Sequence, residues 1–261
     1  MRSETAAPKP KRGYHRPEAL TEAPTHYCAG CGHGVVHRLI AEVLDEMGQR
    51  ENTVAVAPVG CAVLAYDYWR IDVTEAPHGR TPAVATGIKR VLPDRLVFTY
   101  QGDGDLAAIG TAEIVHAANR GEPFTVIFIN NTVYGMTGGQ MAPTTILDQR
   151  TQTTPGGRVQ GIHGNPIRVC ELLATLEGSA YLERVALSSP GNVRKAKKAI
   201  RKAFDVQMAG LGFSLVEFLS PCPTYWRMEP RAALEHIDQV LVEVFPPGVY
   251  KDRTTQEAEN G

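Results

Sequence analysis

The chain has 261 residues, with 27 basic and 28 acidic side chains and a formal net charge of −1. This balance argues against a dedicated nucleic-acid binder, because such proteins need an excess of Lys and Arg to attract phosphates. Hydrophobic residues make up 43% of the chain, which excludes a disordered protein. No apolar run approaches the ~20 residues of a membrane helix. The N-terminus has no apolar stretch, so we expect a cytoplasmic protein without a secretory signal.

The hydrophobic pattern predicts helices and strands in alternation between two polar ends. Residues 1–24 are rich in Pro, Lys, Arg and Glu and predict a flexible N-terminal arm, and residues 251–261 predict a polar tail. The predicted elements, in chain order, are helix 35–47, strand 53–59, helix 81–91, strand 96–100, a helix ending at 119, strand 124–129, helix 167–176, strand 181–187, helix 191–208, strand 213–219 and helix 231–244.

This alternation predicts an α/β fold, a doubly wound and mostly parallel sheet with helices on both faces. The pattern assigns it to one domain over residues 25–250. Gly48 stands where a C-cap glycine is expected, and Pro93 and Gly121 each stop a further helix. The segment 135–166 is rich in Gly, Pro and Thr and is too long for an ordinary connection, so we expect a functional loop there.

The segment Gly102–Asp105 (GDGD) directly follows a buried strand. Ligands bind at the carboxyl ends of the strands in doubly wound folds, and glycines let the backbone approach a phosphate. A carboxylate at such a site needs a bridging cation, because carboxylate and phosphate repel each other. Mg²⁺ prefers oxygen ligands and provides that bridge. The sequence therefore predicts a magnesium and phosphate site at Asp103.

The next strand ends in Asn130 and Asn131, which add an amide oxygen at the neighbouring position. The 25 residues 105–129 separate Gly104 from Asn130. This is the spacing of the thiamine diphosphate motif, in which GDG is followed some 25 residues later by NN. GDG alone is an ordinary turn, but the two elements at two consecutive strand ends form a specific signal.

Four of the five cysteines lie in loops beside Gly or Pro. Cys28 and Cys31 form a C-x-x-C, Cys61 follows the first strand and Cys222 follows the last. Cys170 lies in an apolar helical segment, where a thiol behaves as a small hydrophobe, so we expect it in the core. Four thiolates suit either a structural zinc or a [4Fe–4S] cluster. The single C-x-x-C and the adjacent thiamine motif favour iron–sulfur, because a thiamine enzyme can use an electron acceptor.

Six segments carry a resemblance that covers about residues 27–250. They are CAGCGHG, PVGC, HGR, TYQGDGDLAAIGTAE, NNTVYGMTGGQMAPTT and SPCPT. Together, and in this order, they resemble the β subunit of the 2-oxoacid:ferredoxin oxidoreductases, and most closely the 2-oxoglutarate and 2-oxoisovalerate type. The resemblance implies the thiamine diphosphate-binding fold of the diphosphate-type domain.

The resemblance also implies three cofactors: thiamine diphosphate, Mg²⁺ and one [4Fe–4S] cluster. The implied cluster ligands are Cys28, Cys31, Cys61 and Cys222. The implied Mg²⁺ ligands are Asp103, Asn131 and the backbone carbonyl of Val133. The implied contacts to thiamine diphosphate are Gly60, Cys61, Ala62, His78, Gly104, Asp105, Gly135, Met136 and Thr137.

The activity implied by the resemblance is the coenzyme A-dependent oxidative decarboxylation of a 2-oxoacid to acyl-CoA and CO₂. Electrons would pass through the cluster to ferredoxin. A chain of this length has room for the diphosphate-binding domain only. We therefore expect the pyrimidine domain and its catalytic glutamate on an α subunit, and assign no catalytic side chain here. The sequence lacks the C-x₂-C-x₂-C-x₃-C run that would indicate a fused ferredoxin domain. Small ferredoxin-like and gamma subunits are therefore further candidate partners.

Two other interpretations remain open at this point. The chain can be half of a non-redox thiamine enzyme with a structural zinc, or a non-enzymatic metal-binding scaffold. Members of the family that the chain resembles often carry a basic residue at the position of Leu64. A leucine has no charge, so we assign Leu64 no role in binding the substrate carboxylate. Together with Met136, it favours an aliphatic 2-oxoacid.

Three histidines and one basic helix have open roles. His33 lies beside the C-x-x-C and is expected to affect the cluster, to contact the diphosphate or to be structural. His37 and His116 lie within predicted helices and are expected to be structural. The basic residues of helix 191–208 either dock an acidic ferredoxin or form a solvated face, and the apolar stripe of the same helix favours the solvated face.

Overall fold

The computed structural model describes residues 15–254, so residues 1–14 of the predicted arm and 255–261 of the predicted tail lie outside the described residues. The strands are β1 (Thr53–Ala57), β2 (Asp72–Glu75), β3 (Leu96–Gly102), β4 (Thr125–Asn130), β5 (Val133–Tyr134), β6 (Gln140–Met141), β7 (Ser179–Ala186), β8 (Phe213–Leu219) and β9 (Gly248–Asp252). The helices are α1 (His33–Met47), α2 (Thr81–Val91), α3 (Thr111–Asn119), α4 (Gln160–His163), α5 (Val169–Ala174), α6 (Pro190–Met208), α7 (Pro223–Trp226), α8 (Pro230–His236) and α9 (Val242–Val244).

Seven strands form one sheet in the order β2-β1-β3-β4-β8-β7-β9. All neighbouring pairs are parallel except β7 and β9, which are antiparallel. The predicted α/β class is confirmed, and every predicted strand is present within a few residues. The two edge strands β2 and β9 were not predicted, because none of their residues is buried and they carry no apolar alternation.

Helices cover both faces of the sheet and divide the core into two layers. In one layer, α1 and α6 pack on β3 through Ile40, Phe204 and Phe98. In the other, α2, α3 and α5 pack on the opposite face, with Ile114 and Phe128 among the buried residues. Parallel strands that are covered on both faces have nearly continuous apolar sequences. This is why β3 and β4 could be predicted from the sequence.

Helix α6 buries its predicted apolar stripe, the side chains Ala196, Ala199, Ile200 and Ala203. Its basic face is partly neutralised, since Lys197 lies 2.8 Å from Glu42 and 2.7 Å from Glu46 of α1. Within residues 15–254, none of the helices combines the length and the apolar composition that a membrane span requires.

Two predicted helices are interrupted by π-helical turns. The turn Gly104–Ile109 precedes α3, and the turn Ile237–Leu241 joins α8 to α9 within the predicted helix 231–244. Such turns are frequent at functional sites. The first of them begins at the GDGD segment.

Part of the predicted arm packs against the fold. Ala19 is fully buried, Leu20 forms a β-bridge with Trp69, and the backbone N–H of Ala19 donates to the Asp45 carboxylate at 3.1 Å. At the other end, β9 extends to Asp252, inside the segment predicted as a polar tail. Backbone hydrogen bonds hold both segments. Such bonds do not require an apolar pattern of side chains, so the sequence did not indicate that these segments pack against the fold.

Candidate active site

The carboxyl ends of β1, β3 and β4 bring the predicted site residues to one edge of the sheet. Because these strands are parallel, the loops after Ala57, Gly102 and Asn130 leave the sheet side by side. They surround a pocket of about 260 Å³. Its lining includes every predicted thiamine diphosphate contact and Mg²⁺ ligand: Gly60, Cys61, Ala62, His78, Asp103, Gly104, Asp105, Asn131, Val133, Gly135, Met136 and Thr137.

Three oxygen atoms converge at the floor of this pocket. The side-chain oxygen position of Asn131 lies 3.3 Å from Oδ2 of Asp103 and 2.8 Å from the carbonyl oxygen of Val133. Three acceptors at such distances repel each other unless a donor or a cation lies among them. Without a cation, the amide must turn so that its nitrogen donates to both oxygens. With Mg²⁺ present, the three oxygens form one side of an oxygen-ligand shell, so this donor set fits the ion.

The carboxylate of Asp103 is held in place from two sides. It accepts hydrogen bonds from the Gly104 N–H and the Thr144 hydroxyl, both at 3.0 Å. Burial raises the pKa of Asp103 to about 7, because the charged form loses its hydration. A bound cation would counter this effect and favour the ionised carboxylate.

The turn after β4 is fixed by the long loop 135–166. Thr132 has a left-handed backbone with φ of 63°, and its carbonyl oxygen accepts from the Thr145 hydroxyl at 2.5 Å. Next to it, the side-chain amide of Asn130 donates to the buried carboxylate of Glu217 at 2.8 Å. These bonds set the direction in which Asn131 points.

Arg158 organises this loop from within. Its buried guanidinium donates to backbone carbonyls on both sides of the loop, those of Ala142, Pro143, Thr145, His163, Gly164 and Asn165, at distances between 2.5 and 3.5 Å. Arg158 was not predicted because it belongs to no recognisable pattern, and Thr144, although it lies in the segment NNTVYGMTGGQMAPTT, was assigned no role. Their role is visible only once the loop is folded over Asp103.

The carboxylate of Asp105 does not face the pocket as a free ligand. It accepts five hydrogen bonds, from the backbone N–H groups of Val59 and Gly79, the Thr81 hydroxyl, the Gln101 amide and Nδ1 of His78, at 2.8 to 3.2 Å. Asp105 therefore joins four segments of chain at the pocket wall. Its side chain acts on the pocket by orienting His78, which lies 2.9 Å away.

His33, the first residue of α1, also lines the pocket. It is 3% exposed, and its Nδ1 lies 2.9 Å from the hydroxyl of Tyr100 on β3. Burial lowers its pKa to about 3, and the nearby His26 adds to this effect, so the ring is neutral at physiological pH. His37 lies further along α1, stacks on Trp69 and does not line the pocket, as expected for a structural histidine.

The predicted four cysteines lie around a second, smaller cavity of about 60 Å³. Its lining includes Cys28, Cys31, Cys61 and Cys222. Cys170 is fully buried among the core residues around α5, as the sequence indicated. Among residues 15–254, no three Cys, His, Asp or Glu side chains are already arranged to hold one metal ion. The thiols thus share a cavity without forming a closed coordination cage.

Gly135 lies beside two of these thiols, and its lack of a side chain keeps the space next to them open. A Cβ at this position would lie 2.9 Å from Sγ of Cys61 and 4.0 Å from Sγ of Cys222. Burial raises the pKa of both thiols to about 12, so without a metal they are protonated. Four soft donors around a small cavity that glycine keeps open fit a thiolate-bound metal centre.

The two cavities share a wall. Cys61, Asn131 and Gly135 line both of them. Of the two residues that indicated an aliphatic substrate, Met136 lines the larger pocket and is 56% exposed, whereas Leu64 does not line it.

Comparisons with known proteins agree with this geometry. Residues 58–218 match the family described as "Thiamine pyrophosphate enzyme, C-terminal TPP binding domain". The chain is 47% identical over 256 residues to the ketoisovalerate oxidoreductase subunit VorA of Methanothermobacter marburgensis. The alignment covers 94% of this chain and 54% of that subunit. It thus spans about half the length of the ketoisovalerate oxidoreductase subunits that it matches.

Two further comparisons cover most of both proteins. The 2-oxoglutarate synthase subunit KorB of Archaeoglobus fulgidus is 36% identical over 254 residues, with 94% of this chain and 90% of that one aligned. The solved 2-oxoglutarate:ferredoxin oxidoreductase from Magnetococcus marinus superposes with a TM-score of 0.73 at 25% identity, over 92% of this chain and 86% of that one. The chain therefore belongs to the thiamine pyrophosphate enzymes, and within them to the β subunits of the 2-oxoacid:ferredoxin oxidoreductase family.

Proposed function

We propose that this chain binds Mg²⁺–thiamine diphosphate and one [4Fe–4S] cluster in a 2-oxoacid:ferredoxin oxidoreductase. The complete enzyme would convert a 2-oxoacid and coenzyme A to acyl-CoA and CO₂ and pass the electrons to ferredoxin. One observation carries this proposal: Cys61, Asn131 and Gly135 line both the cofactor pocket and the four-cysteine cavity. A single layer of residues would then separate the two cofactors, which suits a reaction in which electrons pass from thiamine diphosphate to the cluster.

The residues of the pocket floor would hold the cation and the diphosphate. Asp103, Asn131 and the Val133 carbonyl provide three oxygen ligands, and Thr144 keeps the Asp103 carboxylate in position. Gly104 lets the Tyr134 ring close over the GDGD turn, because a Cβ there would lie 3.0 Å from that ring. When bound, thiamine diphosphate supplies the electron sink for decarboxylation and the cluster accepts the electrons.

The four cysteines Cys28, Cys31, Cys61 and Cys222 would ligate the cluster. Cys28 is exposed, whereas Cys222 is buried and Cys61 faces the cofactor pocket. The cluster would thus have one side toward the cofactor and one toward solvent. The exposed side is where ferredoxin would collect electrons, and a cytoplasmic location fits both ferredoxin and the free thiols.

An α subunit would complete the site. The described residues that line the pocket include no glutamate to contact the aminopyrimidine ring. At the pocket, Ile109 is 50% exposed and Met136 is 56% exposed. Exposed apolar side chains beside a ligand pocket are typical of a surface that a partner covers. Gamma and ferredoxin-like subunits would belong to the same assembly.

The substrate would be a branched-chain 2-oxoacid such as 2-oxoisovalerate. Among the described residues that line the pocket, none is Lys or Arg, and Ile109 and Met136 are apolar. A second carboxylate, as in 2-oxoglutarate, would find no cationic side chain in this chain's part of the site. The 47% identity to a ketoisovalerate oxidoreductase subunit supports the same choice.

The test is the metal and cofactor content of the complex purified without oxygen. We expect a brown protein with about four iron and four sulfide per copy of this chain, and thiamine diphosphate in the denatured extract. A colourless protein with stoichiometric zinc and thiamine diphosphate would instead identify the non-redox thiamine enzyme. Zinc without thiamine diphosphate would identify the metal-binding scaffold.

A further inference from the structure

His33 has a hydrogen-bonding atom that no step described so far uses. Its Nδ1 is bound to the Tyr100 hydroxyl at 2.9 Å, and its Nε2 bonds to no described residue. His33 is 3% exposed, yet Nε2 is not among the fully enclosed unbonded side-chain atoms of the described residues. Because His33 lines the cofactor pocket, the open side of the ring faces that pocket.

The partner of Nδ1 determines which ring nitrogen carries the proton. The Tyr100 hydroxyl is fully buried and bonds to no other described residue. If Nδ1 carried the proton, the Tyr100 oxygen would accept a hydrogen bond from it. The O–H of Tyr100 would then have no acceptor, at a cost of about 1–3 kcal/mol. The favoured arrangement is therefore Tyr100 donating to Nδ1. The imidazole proton then sits on Nε2, which points an N–H donor into the pocket.

His78 has the opposite arrangement in the same pocket. Its Nδ1 lies 2.9 Å from the carboxylate of Asp105, which can only accept, so Nδ1 carries the proton and donates. The partner therefore fixes a proton on Nδ1 of His78, whereas in His33 it fixes the proton on Nε2. Buried partners thus orient the two imidazoles differently, Tyr100 through a hydroxyl and Asp105 through a carboxylate.

The four-cysteine cavity is not where His33 acts. His26 and Tyr27 line that cavity, whereas His33 does not. The Tyr27 ring stacks on His33 with centroids 4.8 Å apart and an interplanar angle of 12°. One face of His33 is therefore covered by a residue that belongs to the cysteine cavity, and only its edge reaches the cofactor pocket.

We propose that His33 donates a hydrogen bond from Nε2 to an anionic oxygen of the ligand in this pocket, and that Tyr100 is the positioning residue that fixes its tautomer. The inference rests on the proposed function. None of the described lining residues is Lys or Arg, so an anion in this part of the site depends on neutral N–H donors and the cation. The oxygen belongs either to the diphosphate of the cofactor or to the 2-oxoacid.

The test compares two replacements of His33 in the assembled complex. His33→Gln keeps a side-chain N–H donor, whereas His33→Met has similar size and no donor. Tyr100→Phe removes the group that fixes the tautomer, and His37→Gln is the matched control for the neighbouring buried ring. The measurements are the Kd of thiamine diphosphate at saturating Mg²⁺, the KM for 2-oxoisovalerate, and the iron content.

Loss of a hydrogen bond to a charged group predicts a change of about ten-fold or more for His33→Met. We expect His33→Gln to stay within about three-fold of the wild type, with Tyr100→Phe between the two. A weaker Kd for thiamine diphosphate assigns the bond to the diphosphate. An unchanged Kd with a raised KM assigns it to the 2-oxoacid. Iron content should equal that of the wild type in all four variants.

Three results would overturn the inference. Equal effects of His33→Gln and His33→Met would show that the donor is not what matters. Unchanged Kd and KM in His33→Met would remove His33 from the site, and loss of iron in that variant alone would assign it to the cluster. Failure of the wild-type complex to bind thiamine diphosphate would instead contradict the proposed function, so the two failures are distinguishable.

Discussion

Replacing Gly135 with alanine should prevent cluster assembly while leaving the fold intact. The added Cβ would lie 2.9 Å from Sγ of Cys61. Ordinary contacts begin near 3.5 Å, so the thiol must move by about 0.6 Å. Metal–ligand distances tolerate about ±0.2 Å, so this displacement is too large for a cluster ligand. We expect iron and sulfide to fall below half of the wild-type content.

Overpacking of this kind costs about 1–3 kcal/mol, which for a chain of this size lowers the Tm by about 2–12 °C. Gly34→Ala is the matched control, because it lies in α1 beside the C-x-x-C and, apart from its chain neighbours and the nearby backbone of its own helix, no described atom lies within 4 Å of the added Cβ. It should keep the wild-type iron content and gain about 0.5–1 kcal/mol of helix stability. Wild-type iron in Gly135→Ala, measured by metal analysis and EPR spectroscopy, would refute the placement of the cluster at Cys61.

Three further substitutions test the supports of the cofactor pocket. Arg158→Met should leave six loop carbonyls without their donor and lower the stability by at least about 1–3 kcal/mol, the cost of one unsatisfied buried acceptor, seen as a lower Tm; an unchanged Tm would contradict its role. Thr144→Val should raise the Mg²⁺ concentration needed for cofactor binding several-fold, because Asp103 loses a 3.0 Å hydrogen bond; an unchanged Mg²⁺ titration would argue against it. Asp105→Asn should cost about 2–4 kcal/mol and free the His78 ring, since an amide has one acceptor oxygen where five donors converge; chemical denaturation and the histidine NMR signals would reveal both effects.

The position of the site could be predicted because it depends on parallel strands. β3 and β4 are rich in apolar and β-branched residues, so the sequence located their carboxyl ends, and Asp103 and Asn131 follow those ends directly. The neighbouring strand ends then had to lie together. The same reasoning applied to Cys61 and Cys222, which follow β1 and β8 and line one cavity in the structure.

The supports of the site could not be predicted because they are contacts between residues far apart in the chain. Thr144 reaches Asp103 across 41 residues, and His33 reaches Tyr100 across 67. Loop 135–166 has no periodicity, so nothing in its sequence indicated that Arg158 would bind its carbonyl groups. The antiparallel strand β9 was missed for the same reason, since backbone pairing at a polar edge does not require a pattern of side chains.

The most direct test of the central claim is the redox state of the cluster in the assembled complex, followed by EPR spectroscopy without oxygen. Adding 2-oxoisovalerate should reduce the cluster when thiamine diphosphate and Mg²⁺ are bound, and 2-oxoglutarate should do so much less efficiently. Removal of thiamine diphosphate should abolish the signal in the same preparation. A cluster that no 2-oxoacid reduces in the cofactor-loaded complex would contradict the account, because the cavity behind Cys61 would then have no part in the reaction.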